Sequence, residues 1–256
     1  MPQEVFRKRR ADAPDGFFAC EAAGLEWLRE AHGAPVARVV GVGPDHLDLE
    51  RLTEAAPSRE AARAFGARLA ATHDAGAPAF GSPPDGWDGD GFFGPLSDPL
   101  PLRSGAFAHW GEFYARSRLE PIARQGLERG ALGPADASLL EAVARRAAGG
   151  PWDDGERPSR VHGDLWAGNV LWGPQGATLI DPAAHGGHRE SDLAMLALFG
   201  LPFLDDVLAG YEQAHPLRAG WRRRVGLHQL YPVAVHAVLF GGHYVDQMRR
   251  LAAPWA

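Results

Sequence analysis

The order of apolar and polar positions divides the chain into a short strand-rich beginning and a long helical remainder. Residues 4–8 read as a short strand. From Gly16 to about Ala31 the spacing becomes helical, with Phe17, Glu21, Gly24, Leu25 and Leu28 on one face. That face turns a carboxylate inward, and a buried charge is costly without a cationic or hydrogen-bonding partner. Lys8, on the strand just before, is the candidate partner for Glu21. Two strands, 37–42 and 46–50, flank the turn-forming Gly43-Pro44-Asp45. A connector over 51–57 leads to Ser58, which caps a helix reaching about Asp74.

Residues 80–101 are dense in Gly, Pro and Asp and carry Phe80, Trp87, Phe92 and Phe93. A stretch this long without a period, inside a compact chain, is often functional. Helical periodicity returns over 104–129, 134–148 and 217–251, the last containing Pro232 and Gly241-Gly242, which predict a kink. The expected architecture is α/β (α+β) and two-lobed: a strand-rich N-terminal lobe over 1–52 and a mainly helical C-terminal lobe over 53–256.

Composition narrows the function classes. The 256 residues are 45% hydrophobic and 23% charged, which suits a packed domain or two lobes around a cleft. A formal net charge of −6 argues against a general nucleic-acid binder, which needs a basic face to displace counterions. Cys20 is the one cysteine, so no internal disulfide forms, which fits a reducing cytoplasm. The basic start MPQEVFRKRR lacks a following apolar stretch, and the greasy run 193–204 is broken by Gly200 and Pro202. These features predict a soluble, cytoplasmic protein with no membrane partner. Lys8 is the only lysine among 26 basic residues, kept where arginine is otherwise used throughout. Lysine and arginine are not interchangeable at charged sites.

The chemistry concentrates in RVHGDLWAGNVLWGPQGATLIDPAAHGGHRESDLAML. Two apolar runs, 170–172 and 177–180, enclose Gly173-Pro174-Gln175-Gly176 and predict a hairpin with a four-residue loop. If Trp172 pairs with Ala177, Asn169 meets Ile180 and Asp181 lies just beyond, so the open end gathers Asn169 and Asp181. Asp164 sits in the Gly-flanked loop that feeds the first strand. Two acids and an amide suit magnesium, which takes one or two protein carboxylates and fills its shell with water and nucleotide phosphate. The spacing of Asp164, Asn169 and Asp181 repeats the protein-kinase layout of catalytic Asp, metal-binding Asn and a second metal-binding Asp after a hairpin. His162 is expected to pack and hold the loop. Other chemistries fit less well: there is no G-x-S-x-G elbow, and His162, His185 and His188 lack a metalloprotease spacing.

HGDLWAGNVLW, IDPAAHGGHRESDLAML and LYPVAVHAVLFGGHYVDQ together resemble the fructosamine kinase (ketosamine-3-kinase) family. That family is a branch of the protein-kinase-like fold shared with aminoglycoside phosphotransferases and choline kinases. FFACEAAGLEWL and GEFYARSRLEPIARQGLERGAL extend the resemblance over nearly the whole chain. The Trp after HGDL and the GHRExDLA run point to this branch rather than its cousins. The resemblance implies that Asp164 is the catalytic base and that Asn169 and Asp181 bind Mg2+. It implies that Lys8 contacts ATP phosphate with Glu21 as its helix partner, and that Glu50 to Leu52 meet the adenine through backbone. Asp192 is then an internal brace of the catalytic loop, and Trp166 lines the substrate side.

One departure stands out. In the family a Gly-rich turn between two strands precedes the lysine strand and covers the ATP phosphates, whereas here Lys8 follows Met1 almost at once. The expectation is either a start codon placed too late or a short form whose truncated N-terminal lobe leaves the nucleotide site open. The resulting expectation is ATP-dependent phosphorylation of a sugar hydroxyl of a ketosamine, destabilising glycation adducts. The alternatives are an aminoglycoside or amino-sugar kinase, and a catalytically weak ligand-binding pseudokinase.

Overall fold

A computed structural model describes residues 4–256. Val5–Arg9 (β1), Val39–Gly43 (β2) and His46–Glu50 (β3) form an antiparallel sheet in the order β1-β3-β2. Lys8 lies opposite Leu47 and Phe6 opposite Leu49, so the lysine shares the inner face with two buried leucines. Phe17–Glu30 (α1) covers that face, burying Phe17, Glu21, Leu25 and Leu28 as its spacing required. The strand expected at 37–42 starts two residues later. The Ala37 N–H donates to the Leu179 carbonyl at 3.0 Å, which diverts this segment to another partner.

Arg59–Asp74 (α2) begins at Ser58, whose Oγ accepts from the Ala61 N–H at 3.1 Å. The stretch 80–101 is not without structure. Gly91–Phe93 (β4) pairs with Leu100–Leu102 (β5), strands too short to reveal a period. The helix expected from 104 starts only at Trp110, because Phe107 and Phe80 exchange both backbone hydrogen bonds at 3.0 Å. Trp110–Phe113 (α3) runs through a π-helical stretch, Tyr114–Leu119, into Glu120–Glu128 (α4), and Pro134–Ala148 (α5) follows.

Ser159–Val161 (β6), Val170–Gly173 (β7), Gly176–Leu179 (β8) and His185–Gly187 (β9) carry the chemistry-bearing loops. β6 pairs with β9 and β7 with β8, with Trp172 opposite Ala177 as expected. Gly173 also pairs with Gly176, so the loop is two residues rather than four. The φ of 111° at Gly176 is one that only glycine adopts without strain.

Arg189–Leu198 (α6), Leu204–Ala214 (α7), Trp221–Phe240 (α8) and His243–Ala252 (α9) complete the chain. α8 continues through Pro232 and stops at Gly241-Gly242, both at positive φ. No helix among the described residues is long and apolar enough to cross a membrane.

One apolar core joins the sheet, α1, α2, β7–β8 and α7; a second fills the space among α3, α4, α5, α8 and α9. Residues 51–57 bridge the sheet to the hairpin, where the Ala55 N–H donates to the Trp172 carbonyl at 2.8 Å. Beneath the β6–β9 pair, buried Glu190 is held by the Arg224 guanidinium, which also reaches Asp154. Burial opposes the charge on Glu190, but the nearby His228 and the Arg224 guanidinium outweigh it and hold the carboxyl at about 2. A buried carboxylate stripped of such partners costs about 3–5 kcal/mol.

Candidate active site

Asp164, Asn169 and Asp181 meet because the loop after β6 and the end of β8 face each other across the hairpin's open end. The Ile180 N–H donates to the Asn169 carbonyl at 3.2 Å, which carries the pairing one step past β7–β8. Asn169 Nδ2 then donates to the Asp164 backbone oxygen at 2.8 Å and to its carboxylate at 3.2 Å. Asp181 follows with φ 53°, a left-handed conformation that Asp and Asn tolerate better than most residues. Gly163 has φ 82°, and a Cβ there would lie 2.2 Å from the Ala183 carbonyl oxygen, so the loop demands glycine before Asp164.

The loop is braced from below. Asp192, 1% exposed, accepts from the His162 N–H at 2.7 Å and the Gly163 N–H at 2.9 Å. His73 Nε2 bonds the same carboxylate at 3.1 Å, while its Nδ1 meets the Tyr211 hydroxyl at 2.7 Å. Burial works against the charge on Asp192, but the His73 bond and its neighbours outweigh it and keep the carboxyl below its ordinary range. His162 is buried, with Nε2 on the Ile180 carbonyl at 2.9 Å and Nδ1 accepting the Asp164 N–H at 3.2 Å.

Lys8 approaches from the sheet side. Its Nζ lies 2.9 and 3.1 Å from the two oxygens of Glu21, and 3.2 Å from Asp181 Oδ1. Burial disfavours the ammonium, but the two carboxylates outweigh it and hold Lys8 above the ordinary lysine value. Asp164 experiences the opposite balance. Burial, helped by Asp181 and Asp192, pushes its carboxyl up to about 7 against the Asn169 hydrogen bond and Lys8.

Lys8, Glu21, Asp164, Trp166, Asn169 and Asp181 all line one cavity of about 360 Å³. Glu50 and Leu52 do not line it. The Glu50 side chain accepts from the Arg38 N–H at 2.9 Å, and Leu52 packs against the core around α1 and α2. Trp166 is 40% exposed with its ring edge-on to Phe199, so it is no core aromatic. Phe17, Phe92, Phe93, Leu96, Leu239 and Phe240 supply apolar wall; Phe92 and Phe93 come from the stretch 80–101, and the others were given no site role by the sequence.

The donor set suits a hard divalent cation. All three Asn169 Nδ2 contacts are donations, which leaves Oδ1 without a hydrogen-bond partner among the described residues. Asp181, 41% exposed at its side chain, adds a charged oxygen beside it. The three histidines weighed as zinc ligands do not converge: His162 and His185 bond to the carbonyls of Ile180 and Ala183. His188 instead approaches Glu190 and His228, where Arg224 already supplies the positive charge.

The sequence profile of the fructosamine kinase family matches residues 1–254. A solved structure from Thermobifida fusca, assigned as a fructosamine-3-kinase, superposes with a TM-score of 0.88 at 47% identity, covering 98% of this chain and 86% of that one. A "probable ketoamine kinase" of Thermus thermophilus is 32% identical over 95% of this chain and 84% of its own length. An aminoglycoside phosphotransferase solved with ADP and hygromycin B superposes with a TM-score of 0.57 over 98% of this chain and 86% of its own. At 16% identity, that last likeness establishes the shared kinase-like fold alone.

Proposed function

The chain belongs to the fructosamine kinase family, a family of phosphotransferases acting on sugar hydroxyls, and from that premise we propose that it transfers the γ-phosphoryl of ATP to a hydroxyl of a ketosamine. The observation that carries this reading is the single cavity holding a half-buried base, an oxygen-rich corner and a paired lysine. Asp164 accepts the proton of the sugar hydroxyl as that oxygen attacks the γ-phosphorus and ADP departs. A carboxyl raised to about 7 is a better proton acceptor near neutral pH than an ordinary aspartate. Asn169 Nδ2 aims the base, and Asp192 fixes the loop that carries it. Lys8, oriented by Glu21, contacts the phosphates. Magnesium at Asn169 Oδ1 and Asp181 would neutralise phosphate charge, the larger part of catalysis in phosphoryl transfer. We place the adenine beside the backbone of Glu50 to Leu52, at the crossing between the lobes 1–52 and 53–256. Phosphorylation of the adduct would start the release of the free amine, a deglycation role.

Charge favours ketosamines over aminoglycosides. Polycationic acceptors call for a broadly acidic cleft. Of Asp85, Asp88, Asp90 and Asp98, none lines the cavity; Asp90 is bound by Arg103 and Asp98 by Arg129 at 2.7 and 3.0 Å. The carboxylates lining it are Glu21, Asp164 and Asp181, each engaged with Lys8 or Asn169. A pure binding module has no use for the base, which counts against a pseudokinase. With magnesium-ATP, fructosyl-lysine or ribulosyl-lysine should drive ADP release, and a panel of aminoglycosides should not. Turnover with an aminoglycoside and with neither ketosamine would overturn the acceptor assignment.

A further inference from the structure

The acceptor side of the cavity continues outward as an aromatic shelf. Trp166, His236 and Phe240 line the cavity itself. Phe199 lies 6.0 Å from Trp166 and 5.1 Å from His236 between ring centroids, and Tyr244 lies 5.0 Å from His236. Phe240, the last residue of α8, is 59% exposed, and Gly241-Gly242 ends the helix directly after it. A large apolar side chain left open at a cavity mouth, continuous with other rings, is a contact surface in search of an occupant.

The cavity's own geometry says which part of an acceptor reaches this shelf. The reacting hydroxyl must sit at Asp164, and Lys8 and Glu21, which line the same cavity, mark the side assigned to the phosphates. The rest of the acceptor therefore extends past Trp166 toward Phe240. No carboxylate lines the cavity at that end, so a second positive charge finds no partner there. His236 donates its Nδ1–H to the Pro232 carbonyl at 2.7 Å, and burial lowers its pKa, so it presents a neutral ring to the cavity.

We infer that Trp166, Phe199, His236, Phe240 and Tyr244 form a subsite for the amine-borne substituent of the ketosamine, selecting uncharged aliphatic or aromatic groups next to the sugar-bearing nitrogen. This rests on the ketosamine kinase reading and adds the substituent to it. Most of the substituent's surface stays open to water, because Phe240 forms an outer lip rather than a lid. One ring face laid on such a shelf is worth about tenfold in binding. The gain belongs in KM more than kcat, since the contact is remote from the reacting oxygen.

The test compares fructose adducts of methylamine and benzylamine as acceptors, with the chain and with Phe240→Ser and Phe240→Leu. The benzyl adduct should show about tenfold higher kcat/KM, mainly through KM. Phe240→Ser should bring the ratio close to one, while Phe240→Leu keeps part of it. Equal efficiencies for the two adducts in the unaltered chain overturn the subsite and leave the kinase reading standing. A benzyl preference that survives Phe240→Ser overturns the role of the shelf. If neither is phosphorylated, the ribulose adducts of the same two amines take their place, and phosphorylation of none of the four removes the kinase reading and this inference together.

Discussion

Asp164→Asn should lower kcat by about a hundredfold or more while leaving nucleotide affinity little changed. The substitution keeps the shape of the side chain, and the amide oxygen still accepts from Asn169 Nδ2, a bond of 3.2 Å in the unaltered chain. The loop is held independently by Asp192 on the His162 and Gly163 N–H groups, so its geometry survives the change. What disappears is the proton acceptor and the charge that orients the attacking hydroxyl. Single-turnover kinetics with saturating magnesium-ATP separate this chemical defect from a binding defect. Near-normal turnover in the variant would remove Asp164 from the role of base.

The second large effect belongs to Asp181. The φ of 53° makes Asn the informative replacement, because Ala would add backbone strain to the loss of the carboxylate. Asp181→Asn should reduce kcat/KM by about a hundredfold, the order expected when charge neutralisation at transferring phosphate is lost. Lys8 keeps its two contacts to Glu21 at 2.9 and 3.1 Å, so the sheet side of the site remains in place. Titration calorimetry with ATP, with and without magnesium, reads the effect without turnover. Magnesium should strengthen ATP binding to the unaltered chain and fail to do so in Asp181→Asn. An unchanged magnesium dependence would show that the cation lies elsewhere.

Much of the site was legible because its determinants are local. The HGD loop, Asn169 and the hairpin lie within one short run, and strand pairing alone brings Asn169 beside Asp181. Lys8 and Glu21 stood out as a sole lysine and an inward acid at neighbouring elements. What remained hidden depends on distant partners. His73 reaches Asp192 across 119 positions and Tyr211 across 138, and nothing in the helical pattern of α2 marks that histidine.

The Asp-rich stretch 80–101 places none of Asp85, Asp88, Asp90 and Asp98 on the cavity, because the course of the chain decides where charges go. Asp90 turns back to Arg103 and the Ser104 N–H, and Asp98 turns out to Arg129. β4 and β5, three residues each, are below the length at which alternation becomes readable. Phe240 has the same difficulty in reverse. An apolar residue at the end of an apolar helix reads as core until the break at Gly241-Gly242 shows that it faces open space.

The central claim is transfer of phosphate from ATP to a ketosamine hydroxyl, and phosphorus NMR of one reaction mixture tests it most directly. The chain is incubated with magnesium-ATP, fructosyl-lysine and ribulosyl-lysine, and the phosphorus of every product is followed with time. The account predicts at least one new phosphomonoester resonance growing in step with ADP, absent when both ketosamines are omitted. Release of inorganic phosphate in its place, or ATP left intact beside both ketosamines, would contradict it.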